Sequence, residues 1–283
     1  MKTLYRFGFL VCFLWAGIGG FSNAGWAQAA EANLPDSPSA ASGPSDPSPG
    51  RQIPESPSER EATWRTLPRN FLHDQKDIWL FPTQLARGRH WVPTLAVTGI
   101  TAGLIFADPH VMPYFRKHQS NLDDVNDGFD AYITTGMVIA VPASLMVSGY
   151  IRHDQRTVSS ALLCAEAYGD AAIPNLAIKA ITRRERPIDV PINGNYHDTF
   201  FNGGKSPFHG SSFPSGHATG AFSVATVVAQ RYQRHRWVPW AAYTLATAVS
   251  FSRITGAAHW PSDVFLGAAM GYSIARYEVL RPH

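Results

Sequence analysis

Cysteine is nearly absent, because the 283 residues include only Cys12 and Cys164. Cys12 lies in an N-terminal stretch that reads as an export signal, so the mature chain would keep Cys164 alone. That excludes an intramolecular disulfide framework even in an oxidising compartment. A lone cysteine in a helical stretch acts as a small buried hydrophobe. Strand-like alternation is missing, as are an internal repeat and a glycine-rich nucleotide loop. Zinc-type ligand spacing is also missing, and the scattered His197 and His209 read as surface residues of a loop. A net charge of +3 is too mild for a nucleic-acid stripe, so no nucleic-acid partner is expected.

What is present begins with Lys2 and Arg6 before an apolar run from Phe7 to Ile18, with Ala27-Gln28-Ala29 after it. Residues 1–29 read as a secretory signal. No small residue precedes Cys12, which argues against lipid attachment there. Residues 30–61 are rich in Pro, Ser, Ala and Gly and cannot bury enough apolar surface to offset chain entropy. They read as a disordered linker, and residues 62–283 as the folded domain.

That domain reads as all-α. Trp64, Leu67, Phe71, Ile78 and Trp79 mark amphipathic or interfacial segments. Apolar stretches follow at 92–107, 132–151, 158–182, 218–230, 238–252 and 264–277. A bundle of about six core helices with an active site at one end is the expected architecture.

Three blocks carry the chemistry. Lys179 and Arg186 are seven residues apart before Pro187, which places two cations on nearly one face of a helix that the proline ends. A solvated basic helix end would look the same. Pro214-Ser215-Gly216-His217 precedes an Ala/Val/Phe-rich helix whose free amides could hold an anion, although Ser215 could be a plain N-cap. The third block has Ser252-Arg253, then His259, Pro261 at a helix start and Asp263 in its first turn. There the carboxylate could fix one imidazole nitrogen and leave the other free to attack, or could be an ordinary first-turn acid.

Lys-x6-Arg-Pro, Pro-Ser-Gly-His and Ser-Arg-x5-His-x3-Asp, in this order, resemble the signature of the type 2 phosphatidic acid phosphatase and vanadium haloperoxidase superfamily. The resemblance extends over roughly residues 64–280. It implies His259 as a nucleophile forming phosphohistidine, Asp263 as its orienter and His217 as the acid for the leaving oxygen. Lys179, Arg186 and Arg253 would hold the phosphoryl oxygens, helped by Ser215 and the amide of Gly216. Arg183 and Arg184 are assigned to the same phosphate site. No cofactor or metal is implied, and vanadate is expected as a phosphate-mimic inhibitor.

The expected activity is hydrolysis of phosphate monoesters or anhydrides, with lipid phosphates and isoprenyl diphosphates among the candidates. The rivals are a vanadate-dependent haloperoxidase and a non-catalytic envelope protein that binds phospholipid. His217 as an acid needs its proton, which an ordinary imidazole of pKa near ~6.5 keeps in mildly acidic solution. The aromatic loop between Arg186 and Pro214, with Phe200, Phe201, Phe208 and Phe213, is expected to cover the site or touch an acyl chain.

Membrane placement is less direct. Only 132–151 comfortably meets the length of a span, the stretch 158–182 holds Glu166 and Asp170, and mean hydropathy is only -0.12. Six crossings starting from an exported linker would put the motif loops in the cytoplasm. Arg152, Arg156, Arg231, Arg234 and Arg236 at the other end would put those loops in the periplasm. The expectation is therefore a soluble or peripheral periplasmic bundle, with an integral inner-membrane protein as the alternative.

Overall fold

The computed structural model describes residues 60–203 and 211–281. The proposed export signal, linker residues 30–59, Gly204, Phe208 and His209 lie outside the described residues. Among those described there is no strand, and the chain is a succession of helices. These are α1 (Leu67–Ala86), α2 (Trp91–Lys117), a 3-10 turn (Gln119–Leu122) and a short α3 (Asp123–Gly128). Then come α4 (Ala131–Arg152), α5 (Gln155–Thr182), α6 (Gly216–Arg231), α7 (Trp237–Thr255) and α8 (Pro261–Ile274), which continues as a π-helical turn over Ala275–Val279. The six apolar stretches are α2 and α4–α8, and the amphipathic segment before them is the single helix α1.

Local chemistry sets the helix starts. Asp130 accepts from the Ile133 amide at α4, and Asp154 from the amides of Arg156 and Thr157 at α5. Ser215 caps α6, while Pro261 occupies the first turn of α8. Each cap satisfies amides that have no partner within the helix. Helix α5 ends where Arg183 turns into the left-handed region at φ 40°.

Helix α6 is central, packing against α5, α7 and α8. Its approach to α8 is close enough that a Cβ on Gly267 would strike the Ser215 carbonyl, and one on Gly271 the Thr219 carbonyl. Two glycines four residues apart thus let the backbones touch, a device of helices that associate without a water-driven core.

Several polar side chains are buried and several large apolar ones face outward. Thr134, Ser159, Ser160, Asn175, Thr219, Ser223 and Thr226 are buried, whereas Val92 is 80 % exposed, Phe106 79 % and Ile151 69 %. In α1 the buried residues are Asp74 and Gln75, while Leu72 and Trp79 face outward. Residues 91–117 and 126–152 are long and apolar enough to cross a membrane, with only 17 % and 11 % of their apolar windows buried. Pro109, Pro113 and Pro142 sit inside α2 and α4, a placement tolerated in membrane helices whose neighbours satisfy the freed carbonyls.

Arg60 and Glu61 fall inside the stretch read as linker, yet both belong to the folded part. Arg60 donates to Asp74 Oδ2 at 3.0 Å and to Glu166 Oε1 at 2.6 Å, and Glu61 pairs with Arg231 at 2.9 Å. Composition could not reveal this, since two charged residues after a Pro/Ser tract look like more linker.

Candidate active site

The three sequence blocks meet at one end of the bundle. A cavity of about 320 Å³ is lined there by Lys179, Arg186, Gly216, His217 and His259. Lys179 comes from the last turn of α5, Gly216 and His217 from the start of α6, and His259 from the turn before α8. The rest of the wall includes Val138, Ile139, Tyr168, Ala172 and Leu176. Tyr168 reaches the wall because a Cβ on Gly220 would stand 2.6 Å from its ring.

Lys179 and Arg186 do converge, but not along one helix. Helix α5 stops at Thr182 and residues 183–186 run on without helical structure, so Arg186 reaches the cavity from a loop. Lys179 Nζ donates to the carbonyls of Ser211 at 2.9 Å and Ser212 at 3.3 Å. Burial lowers its pKa to about 8, although Asp263 opposes the shift. Arg186 Nη1 donates to the Ala258 carbonyl at 3.2 Å.

His259 is buried, with Nδ1 3.6 Å from Asp263 Oδ2, just beyond hydrogen-bond length, and no other partner for that nitrogen. Nε2 is then the nitrogen not directed at the carboxylate. Burial drives the imidazole pKa down to about 3, against the pull of Asp263. Burial alone would raise the Asp263 carboxyl, but the Arg184 guanidinium and His259 hold it below the usual range. Asp263 also accepts from the Trp260 amide at 2.9 Å, closing the first turn of α8.

His217 Nε2 lies 3.2 Å from Thr135 Oγ1 and 3.3 Å from the Ala131 carbonyl, both on α4. A carbonyl only accepts, so this nitrogen carries the proton. Burial, and next the Arg253 charge, push the His217 pKa down to about 4. The ordinary value taken from sequence therefore does not apply: the ligand-free imidazole is neutral at neutral pH.

Two expected phosphate ligands do not line the cavity. Ser215 Oγ caps α6 by accepting from the Ala218 amide at 3.4 Å, which is the plain N-cap reading. Arg253 is buried at the end of α7, with Nε and Nη2 on Ser252 Oγ at 3.2 and 3.1 Å, and burial lowers its pKa to about 10. It stands near His217, whose titration it depresses, and not on the cavity wall.

Arg183 and Arg184 do not join the phosphate site either. Arg183 donates to the Phe201 carbonyl at 3.1 Å. Arg184 is buried behind the histidine, donating to Asp263 Oδ1 at 2.8 Å, Ser262 Oγ at 2.7 Å and Asp108 Oδ2 at 2.7 Å. Its guanidinium is flanked by the Phe200 and Trp260 rings at 4.5 and 4.6 Å. Phe200 and Phe213, expected over the cavity, instead pack against each other in this support, and Phe201 is exposed. His197 is exposed and edge-on to His110.

Sequence reasoning missed Asp108, Thr135 and Asn175, and it misplaced Arg184 on the phosphate. Asp108 had a signal, being a single acid inside a long apolar helix. Asn175 stands one turn before Lys179 on the same face and donates to Thr219 Oγ1 at 2.9 Å.

The family model described as the PAP2 superfamily matches residues 159–281, which contain all three blocks. A lipid A 1-phosphatase from Porphyromonas gingivalis is 45 % identical to this chain over 62 residues. That match covers 22 % of this chain and 14 % of the relative, so the chain spans a small part of that protein's length. A solved transmembrane PAP2-type phosphatidylglycerolphosphate phosphatase from Bacillus subtilis aligns over 72 % of this chain and 92 % of its own, at 19 % identity and a TM-score of 0.39.

Proposed function

We propose that this protein is a metal-independent phosphatase acting on lipid-linked phosphate monoesters or anhydrides through a phosphohistidine on His259. One observation carries the reading: Lys179, Arg186, His217 and His259 share a cavity whose remaining wall is largely apolar. A phosphoryl group needs the cations and the imidazoles, while Val138, Ile139, Tyr168 and Leu176 suit a hydrocarbon beside it.

His259 Nε2 attacks phosphorus, the bond to the leaving oxygen breaks, and its electron pair leaves with that oxygen, which takes a proton from His217. Water then attacks phosphorus, His217 accepts a proton from it, and the P–N bond returns its pair to His259. Lys179 and Arg186 balance the charge on the equatorial oxygens, and Gly216 adds an amide at the α6 terminus. Asp263 stabilises the histidine as it becomes positive. Arg253 acts from behind His217.

The bundle is read as membrane-inserted, with α2 and α4 as spanning segments. The exposed apolar faces of those helices support the integral alternative over the soluble or peripheral one. The site-bearing end is assigned to the periplasmic side because Arg152, Arg156, Arg231, Arg234 and Arg236 cluster at the other end.

The test is hydrolysis of phosphatidic acid, an isoprenyl diphosphate and a chromogenic phosphate ester in excess chelator. Turnover should persist and be inhibited competitively by vanadate, and His259→Ala should abolish both turnover and acid-labile phosphoenzyme. Loss of activity in chelator restored by a divalent ion, or phosphohistidine surviving in that variant, would overturn the mechanism. Halide oxidation with added vanadate and no ester hydrolysis would make the protein a haloperoxidase.

A further inference from the structure

Away from the phosphate cavity, three carboxylates meet inside the bundle. Asp74 of α1 and Glu166 and Asp170 of α5 each bring one oxygen to within 4.8 Å of the others, and all three are buried. Arg60 Nη1 donates to Asp74 and its Nη2 to Glu166 Oε1, while Gln75 Nε2 donates to Asp170 Oδ1 at 2.8 Å. The second oxygens, Glu166 Oε2 and Asp170 Oδ2, are buried with no hydrogen-bond partner.

Two oxygens of this buried cluster, one on Glu166 and one on Asp170, are thus left without a donor. Buried carboxylates in that position need a cation or protons. We propose that Asp74, Glu166 and Asp170 form a binding site for one hard divalent cation of calcium type. The donors are all oxygen, which selects hard cations over zinc or copper. Oxygens no more than 4.8 Å apart fit one calcium sphere, whose metal–oxygen distance of about 2.3–2.6 Å permits separations up to twice that.

The ligands come from two helices, so an ion there fastens α1 to α5 and stabilises the fold by mass action. Glu166 is thirteen residues before Lys179, about 20 Å along the helix, too far to touch a phosphoryl group. The cation is therefore structural, and the proposal stands apart from the phosphatase reading.

The test uses the purified full chain in detergent after chelator treatment, with calcium as the probe. Equilibrium binding of radioactive calcium should give one ion per chain, and thermal unfolding in calcium chloride should occur above that in chelator. Glu166→Gln and Asp170→Asn should each weaken binding on the order of tenfold or more by removing ligand charge, and their melting should no longer respond to calcium. Wild-type protein that binds no calcium and melts identically in both solutions overturns the proposal and leaves the free oxygens as protonated acids. Undiminished binding in both variants overturns it as well.

Discussion

At the residue scale, the neutral state of the two histidines and the weakened charge of Lys179 set the pH behaviour. Lys179 is protonated below its pKa of about 8 and loses its charge above it. Because kcat/KM reports the free enzyme, it should fall as pH rises through about 8. Lys179→Arg should move that limb upward, since a guanidinium stays charged, and an unmoved limb would assign it to another group. His259 must be neutral to attack, and a pKa of about 3 keeps it so into acid. His217 begins unprotonated, with a pKa of about 4, so its proton must arrive with the substrate, whose negative charge offsets Arg253, Arg186 and Lys179. His217→Ala should then cost on the order of a hundredfold to ten-thousandfold on alkyl phosphates. Aryl esters should lose much less, because their leaving oxygen departs without a proton. Equal losses in steady-state assays of both esters would leave His217 as a phosphate ligand only.

At the element scale, the support behind the site links α2, the loop after α5 and α8 through Arg184. Removing that guanidinium strands Asp108 and Asp263, both buried, and breaking such a pair costs about 3–5 kcal/mol. Arg184→Ala should accordingly lower the midpoint of thermal unfolding, and a midpoint equal to wild type would mean the network contributes nothing. This support also marks where the sequence stopped being legible. The spacing of Lys179, His217 and His259 was readable because local motifs carry it, and the helices were readable because apolar runs are long. Arg184 read as one more cation of the phosphate site. Its role depends on Asp108, seventy-six residues away, and on the loop end of α5 that turns Arg183 left-handed. The single-helix geometry expected for Lys179 and Arg186 failed for the same reason. Pro187 does not set the end of this helix, which stops five residues before it at Thr182.

At the scale of the whole molecule, the outward-facing apolar surfaces of α2 and α4 fit membrane association. Mean hydropathy could not reveal this, because the buried polar side chains and the Pro/Ser-rich N-terminal stretch dilute it. Membranes containing the protein should retain it through high-salt and carbonate washing and release it only into detergent, as expected when α2 and α4 expose their apolar faces. Recovery in the carbonate supernatant would restore the peripheral alternative.

The close contact of α6 and α8 has a mechanical consequence. The Ser215 amide donates to the Asp263 carbonyl at 2.9 Å, beside the glycine face that brings the two backbones together. The helix that starts at the acid and the helix that starts at the nucleophile's partner thus form one stiff body. The spacing of the two imidazoles is therefore expected to stay the same when a ligand binds. The facing wall of the cavity is α4, whose Ala131 carbonyl and Thr135 hydroxyl meet the His217 ring. The two histidines proposed for the chemistry are thus set on one backbone unit, and Thr135, Val138 and Ile139 of α4 face them across the cavity.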